Sequence, residues 1–244
     1  DEARVAHDEA AVKTVHGQAI RAAEAMGVAM TQKERATALG LFPKVAGLAR
    51  RVHDSGTLQG KFDKYVEASE MQGHKTALDR RVPTRWNSDF ACLAAHVYFE
   101  QPVKLLTSDE RLDLKEYALT PDQWALAKEL VDVLEIFEDV TRLFSQAEVP
   151  LVHQVIPMLE KLEHQLQFTL DHAEAPNVIR IAAQAGLMMV GKYYALTDDN
   201  EVYRIAMVML PNKKMAQFIE NEDWHPADVA AVESLARERF TETY

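Results

Sequence analysis

Four residues, Thr120-Pro121-Asp122-Gln123, spell a helix start, and the long apolar pattern behind them constrains the fold more than any other stretch. Thr suits the N-cap and Pro the first helical position, an acid stands in the first turn, and Gln occupies the place where a capping box needs it. Trp124, Ala127, Val131, Leu134, Phe137, Thr141 and Phe144 then form one stripe, widened by Leu126, Leu130, Val133, Val140 and Leu143. A stripe that broad predicts a helix buried on more than one side, at the centre of the fold.

The rest of the chain reads as helical too. Residues 1 to about 39 carry small apolar residues at helical spacing. Phe42, Val45, Leu48, Ala49 and Val52 mark a short helix with Pro43 in its first turn, stopped by Ser55-Gly56. Leu58 to Ser69 follows as a helix, and Gly73 to Val82 as a polar loop. Thr84 is placed to cap a helix carrying Trp86, Phe90, Leu93 and Val97 on one face, limited by Pro102. Beyond Val149-Pro150, helices are predicted from about Val152 to Leu170, with Pro157 giving a kink or lying near its first turn, over Asn177–Tyr194 and over Pro226–Arg239; the apolar run Val202–Leu210 fits a buried strand as well, and the capping pattern of Asp198 with Glu201 and the stop at Pro211 favour a helix. No strand-like alternation precedes the helices.

Composition agrees. In 244 residues, nine Gly and nine Pro are few, and 48% hydrophobic content is enough for one large domain or two small ones. The single cysteine, Cys92, excludes an internal disulfide framework or a cysteine-rich zinc site and fits a reducing compartment. No apolar run is long enough to cross a bilayer, so no membrane partner is expected. A chain opening at Asp1 without Met or apolar leader reads as a piece of something longer. The net charge of −11 argues against a surface that tracks nucleic acid throughout. Between Lys44 and Arg85, however, nine cations face five acids, which leaves that stretch at +4 and the remainder at −15. Such a stretch can meet phosphates, although a solvated helix face and loop has the same composition.

That basic stretch ends in Val82-Pro83-Thr84-Arg85-Trp86-Asn87-Ser88, which resembles the "TRWNS" signature of the hAT superfamily of DNA transposases, the hobo and Activator group. Three further segments resemble the same family in the same order. Phe42-Pro43-Lys44-Val45-Ala46-Gly47-Leu48-Ala49-Arg50-Arg51-Val52-His53-Asp54-Ser55 is similar to the helix before the Arg-Trp pair. Leu119 to Trp124, continuing through Phe137, Thr141 and Ser145 to Val155-Ile156-Pro157, is similar to a helical pair after it. Lys192-Tyr193-Tyr194 with Tyr203 to Pro211 and Lys214 is similar to a third segment, with Leu210 where the family has Asp or His before Pro, so no role carries over to that position.

The resemblance implies an all-α fold, an irregular multi-helix bundle like the helical insertion in the RNase H-like catalytic domain of these transposases. It divides the chain into an N-terminal helical segment (1–41), the insertion domain (42–220) and a C-terminal helix of the same domain (221–244). It implies no catalytic residue here: the family's two Asp lie before this region and its Glu after, so the divalent metal, magnesium, is expected only in the complete parent protein. The implied partner is transposon-end DNA, reached through the parent, with homo-oligomerisation through regions outside this chain and a nuclear location. Arg85 and Trp86, with Arg81, Arg80 and Lys75, are the candidate DNA-binding residues. Trp86 has two readings. An exposed indole can stack on an extruded base, worth about 1–3 kcal/mol, while Arg85 meets a phosphate; a buried one only packs the core. A helical protein-interaction scaffold, derived from such a transposase and without DNA activity, is the competing function.

Other chemistry is weaker. Cys92 and His96 have helical metal-ligand spacing but no partners to complete a set. His53-Asp54-Ser55 reads as a helix end rather than a catalytic triad, Asp198-Asp199-Asn200-Glu201 as a capping run, and Glu220-Asn221-Glu222-Asp223 as a solvated turn. No acid–base constellation supports an independent helical enzyme.

Overall fold

The computed structural model describes residues 15–69, 75, 77–82, 86–146, 148–211, 214–221 and 224–243; the side chains of Trp86 and Thr243 are outside that description. Among these residues all regular structure is helical and there is no strand. The helices are α1 (15–25), α2 (Gln32–His53), α3 (Gly56–Ala68), α4 (Trp86–Tyr98), α5 (Glu100–Ser108), α6 (Pro121–Phe144), α7 (Val155–Asp171), α8 (Asn177–Asp198), α9 (Val202–Val208), α10 (Ala216–Ile219) and α11 (Pro226–Thr243). Short 3-10 turns at Glu110–Leu112, Lys115–Tyr117 and Val152–Gln154 join them.

Helix α6 is the spine. Its start forms the reciprocal box, with Thr120 Oγ1 accepting from the Gln123 N–H and Gln123 Oε1 accepting from the Thr120 N–H. Gln123 does more than cap. Its Oε1 also accepts from Lys44 Nζ at 3.1 Å and its Nε2 donates to the Thr37 carbonyl, while Lys44 Nζ donates to the Ala118 carbonyl at 2.8 Å. Buried polar groups are retained only when bonded, and this set ties α2 to the beginning of α6. Helices α2 and α4 cover the spine, as do α7 and α8, which form the most extensive pair in the molecule. One core therefore runs from Leu41, Val45 and Leu48 on α2 through Leu93 and Phe99 to Leu126 and Val133 on α6, then to Leu166 and Ile179. Gly186 on α8 lets this packing close, because a Cβ there would lie 3.0 Å from Leu166 Cδ1.

The expectations for α2 need correction. Pro43 is not in a first turn but deep inside a helix that begins at Gln32, where Thr31 and Glu34 form a second capping box. Pro43 has no N–H for the Leu39 carbonyl. Both Leu39 and Pro43 face solvent, while Leu41, Val45, Leu48, Ala49 and Val52 hold the opposite face in the core. Burial on one side thus outweighs a bond lost on the other, and the helix runs uninterrupted across the division at 41/42. Ser55-Gly56 does not simply stop it. Ser55 Oγ accepts from the Leu58 N–H and caps α3, whose first residue is Gly56.

Pro102 ends α4 in an unforeseen way. It cannot donate to the Tyr98 carbonyl, so the chain turns at Phe99 and starts again as α5, with Pro102 accommodated in the first turn. Phe99, fully buried, packs edge-on against Phe62 and Tyr98. The capping reading of residues 198–201 also changes. Only Asn200 caps, its Oδ1 accepting from the Val202 N–H; Asp198 pairs with Arg204 and Glu201 with Arg239.

A second, smaller core of Ile156, Met207, Phe218 and Val232 seats α9, α10 and α11 beside α7 and α8. A third, of Ala23, Val28 and Ile181, attaches α1 to α8, helped by Asn177 Nδ2 donating to the Ala29 carbonyl.

Candidate nucleic-acid interface

The basic stretch meets α4 through a closed loop. Ser88, in the first turn of α4, uses one hydroxyl twice: it accepts from the Val82 N–H at 2.8 Å and donates to the Val82 carbonyl at 2.7 Å. One residue on, Asp89 takes the Arg81 guanidinium in a two-point pair, Nε to Oδ1 and Nη2 to Oδ2. The chain on both sides of residues 83–85 is therefore pinned to the same helical turn. Leu78 in the core anchors the approach from below.

This arrangement gives the predicted site residues different fates. Arg81 is half-exposed but its charge is matched by Asp89. Lys75 pairs with Asp79 at 2.5 Å. Arg80 is exposed, and no hydrogen bond or ion pair engages its side chain among the described residues. Arg85, the Thr84 cap and the Trp86 side chain lie outside the described residues, so the exposure that separates the two readings of Trp86 is not on view. Cys92, Leu93, Ala95 and His96 on α4 and Phe99 just after it are buried, and Phe90 and Val97 are half-buried.

Elsewhere in the stretch, Lys44 is committed to the α2–α6 junction. Arg50, Arg51 and Lys64 are exposed and Lys61 is half-buried. The role of Ser88 was hidden in the sequence even though it belongs to the motif, because a hydroxyl in a first turn usually signals a cap and here it reaches back six residues.

Cys92 and His96 are both almost fully buried beneath this loop. Burial, reinforced by the negative charges of Asp79 and Asp89, pushes the Cys92 thiol up to about 12. Burial also pushes the His96 imidazole down to about 4, opposed by the Cys92 carbonyl, and His96 Nδ1 has no hydrogen-bond partner among the described residues. Among the described residues no group of three or more His, Cys, Asp or Glu side chains is disposed to hold a metal ion. His53 and Asp54 close α2, 3.4 Å apart, with Ser55 capping α3. Among the described residues no helix is long and apolar enough to cross a membrane.

An all-helical domain, organised about one buried spine, with the chain at Arg81 and Val82 pinned to the first turn of a helix, is the class these features define. Within it, residues 30–133 match the family model described as the ZBED1 RNase-like helical domain. The match begins one residue before the Thr31 cap of α2 and ends within α6, so it takes in the closed loop, and it supports a hAT-related helical domain over that part of the chain. No curated protein and no solved structure gives a significant match.

Proposed function

We propose that this chain is the helical part of a hAT-type transposase or of a protein derived from one, and that it positions transposon-end DNA within a larger assembly whose catalytic acids and divalent metal lie outside it. The observation carrying this reading is the closure of the loop between Val82 and the Ser88-Asp89 turn, inside the stretch that matches the family. On this reading the cation of Arg85, next in sequence to the first residue of α4, adds to the partial positive charge of that helix terminus. The same reading carries a nuclear location and oligomerisation through other regions of the parent.

Lys44, Lys75 and Arg81 are engaged within the chain. With the other six cations of the stretch contributing, the dependence of log affinity on log salt concentration has a slope of about −5 for duplex DNA, against roughly −8 were all nine engaged. The test is fluorescence anisotropy with hairpin and flanking-strand DNA. Arg85→Ala and Trp86→Ala are expected to weaken binding with circular dichroism unchanged; equal affinity in both variants refutes the DNA role. A scaffold without DNA activity is the second reading, favoured by those same internal pairs, and it predicts no salt-sensitive binding by the wild-type chain.

A further inference from the structure

A separate pocket of about 430 Å³ opens between the end of α8 and the face of α11. Its back wall is made of two aromatic rings, Tyr194 and Trp224, each half-buried and so still presenting surface to the cavity. Glu160 on α7 holds both from behind, accepting from Trp224 Nε1 at 2.7 Å and from the Tyr194 hydroxyl at 3.4 Å; its second oxygen accepts from Asn221 Nδ2. Phe218 packs edge-on against Trp224 and fixes the indole plane. Val232 and Leu235 add aliphatic lining, and Asp228 and the Asp198–Arg204 pair complete the polar part of it.

The charges are uneven. Arg204 is tied to Asp198, so that pair brings little net charge to the lining. Asp228 is exposed and makes no side-chain hydrogen bond or ion pair among the described residues. Burial raises the Tyr194 hydroxyl well above its ordinary value, and Glu160, Asp198 and Glu163 push it further the same way. Aromatic faces attract cations by their quadrupole, and aliphatic walls suit a methylene stem. An anion would meet Asp228 and the ring faces unfavourably.

We propose that this pocket receives a primary alkylammonium on an aliphatic stem, the chemistry shared by a lysine side chain and a free aliphatic amine, with the stem along Val232 and Leu235 and the ammonium between the ring faces and Asp228. The volume is within the range of small-ligand sites and exceeds what a bare ammonium needs. The pocket lies outside residues 30–133, and the assignment does not depend on the DNA-positioning reading.

The test is NMR of the whole chain, following the indole N–H of Trp224, assigned through Trp224→Phe, during titration with n-pentylammonium, with its neutral analogue 1-pentanol, and with Nα-acetyl-lysinamide. Saturable shifts in the millimolar range are expected for the amine, with the alcohol weaker. Asp228→Asn, a surface change, is expected to weaken amine binding about threefold without altering the circular dichroism. Acetyl-lysinamide binding as tightly as the amine identifies a protein side chain as the source; its exclusion while the amine still binds identifies a free amine. An alcohol that binds as well as the amine, an unchanged affinity in Asp228→Asn, or the absence of any shift at Trp224 overturns the proposal.

Discussion

Gly47→Ala exposes how α2 and the Lys115–Tyr117 turn fit together. In an exposed helix interior this change stabilises by about 1 kcal/mol, because Gly gives up more backbone freedom on folding. Here the added Cβ would lie 2.5 Å from Tyr117 Cε1 and 3.0 Å from Cδ1. Carbon atoms prefer about 3.5–4.0 Å, so the ring has to retreat by roughly 1 Å. Its backbone resists, since the Tyr117 N–H donates to the Leu114 carbonyl, the Ala118 N–H to the Lys115 carbonyl, and Lys44 holds the Ala118 carbonyl. Overpacking of this kind costs about 1–3 kcal/mol, which leaves Gly47→Ala destabilising by about 1 kcal/mol and the melting temperature lower by about 2–4 °C for a chain of this size. In a Tyr117→Ala background the obstruction is gone, and the same substitution is expected to stabilise by about 1 kcal/mol. Urea unfolding followed by circular dichroism on the four proteins gives the coupling, about 2 kcal/mol, provided the denaturant slopes agree. Stabilisation by Gly47→Ala with Tyr117 present, or the same effect in both backgrounds, refutes the packing argument.

His96 makes stability depend on pH. Its folded value of about 4 is below the ordinary 6.5, so between those limits the unfolded chain binds a proton that the folded one does not, and stability falls as pH drops from 6.5 towards 4. The loss below that window amounts to roughly 3 kcal/mol, and urea titrations across it should show a shallower pH slope in His96→Leu. The Cys92 thiol, buried and pushed up to about 12, should react with iodoacetamide at pH 8 only after unfolding, as read by intact mass with and without denaturant. Thr120→Ala removes one half of the α6 capping box and is expected to cost about 1 kcal/mol in urea unfolding.

Legibility in the sequence followed the locality of the cause. The start of α6 could be read because a capping box is complete within four residues, and its breadth of burial because apolar spacing repeats along one helix. The length of α2 is not legible locally, because Pro43 is a strong local signal whose effect is decided by distant packing of Leu41, Val45 and Leu48. Phe99 and α5 were missed for a related reason: Pro102 breaks one helix but is tolerated early in another, and only the Phe62–Phe99 contact shows which applies. The basic stretch was countable from residues alone. Which of its cations are spoken for was not, since Lys44 meets Gln123, 79 positions away, and Arg81 meets Asp89 across a loop.

That pairing alters what the charge distribution implies. A stretch of +4 inside a chain of −11 suggests a basic surface facing an acidic remainder. Lys75 and Arg81 are matched by acids and Lys44 is held by two neutral oxygens, so among the described residues the attraction available to phosphates comes from Arg50, Arg51, Lys61 and Lys64 on α2 and α3 and from Arg80. The acidic remainder then acts in the same direction, repelling DNA from the other faces so that only a local, oriented contact is favourable. On the proposed DNA-positioning reading, orientation rather than affinity is what the domain would contribute, the tight grip coming from the larger assembly. Ser88 and Asp89 suit that reading because they fix the chain at Arg81 and Val82 to the spine through α4, which packs on α6.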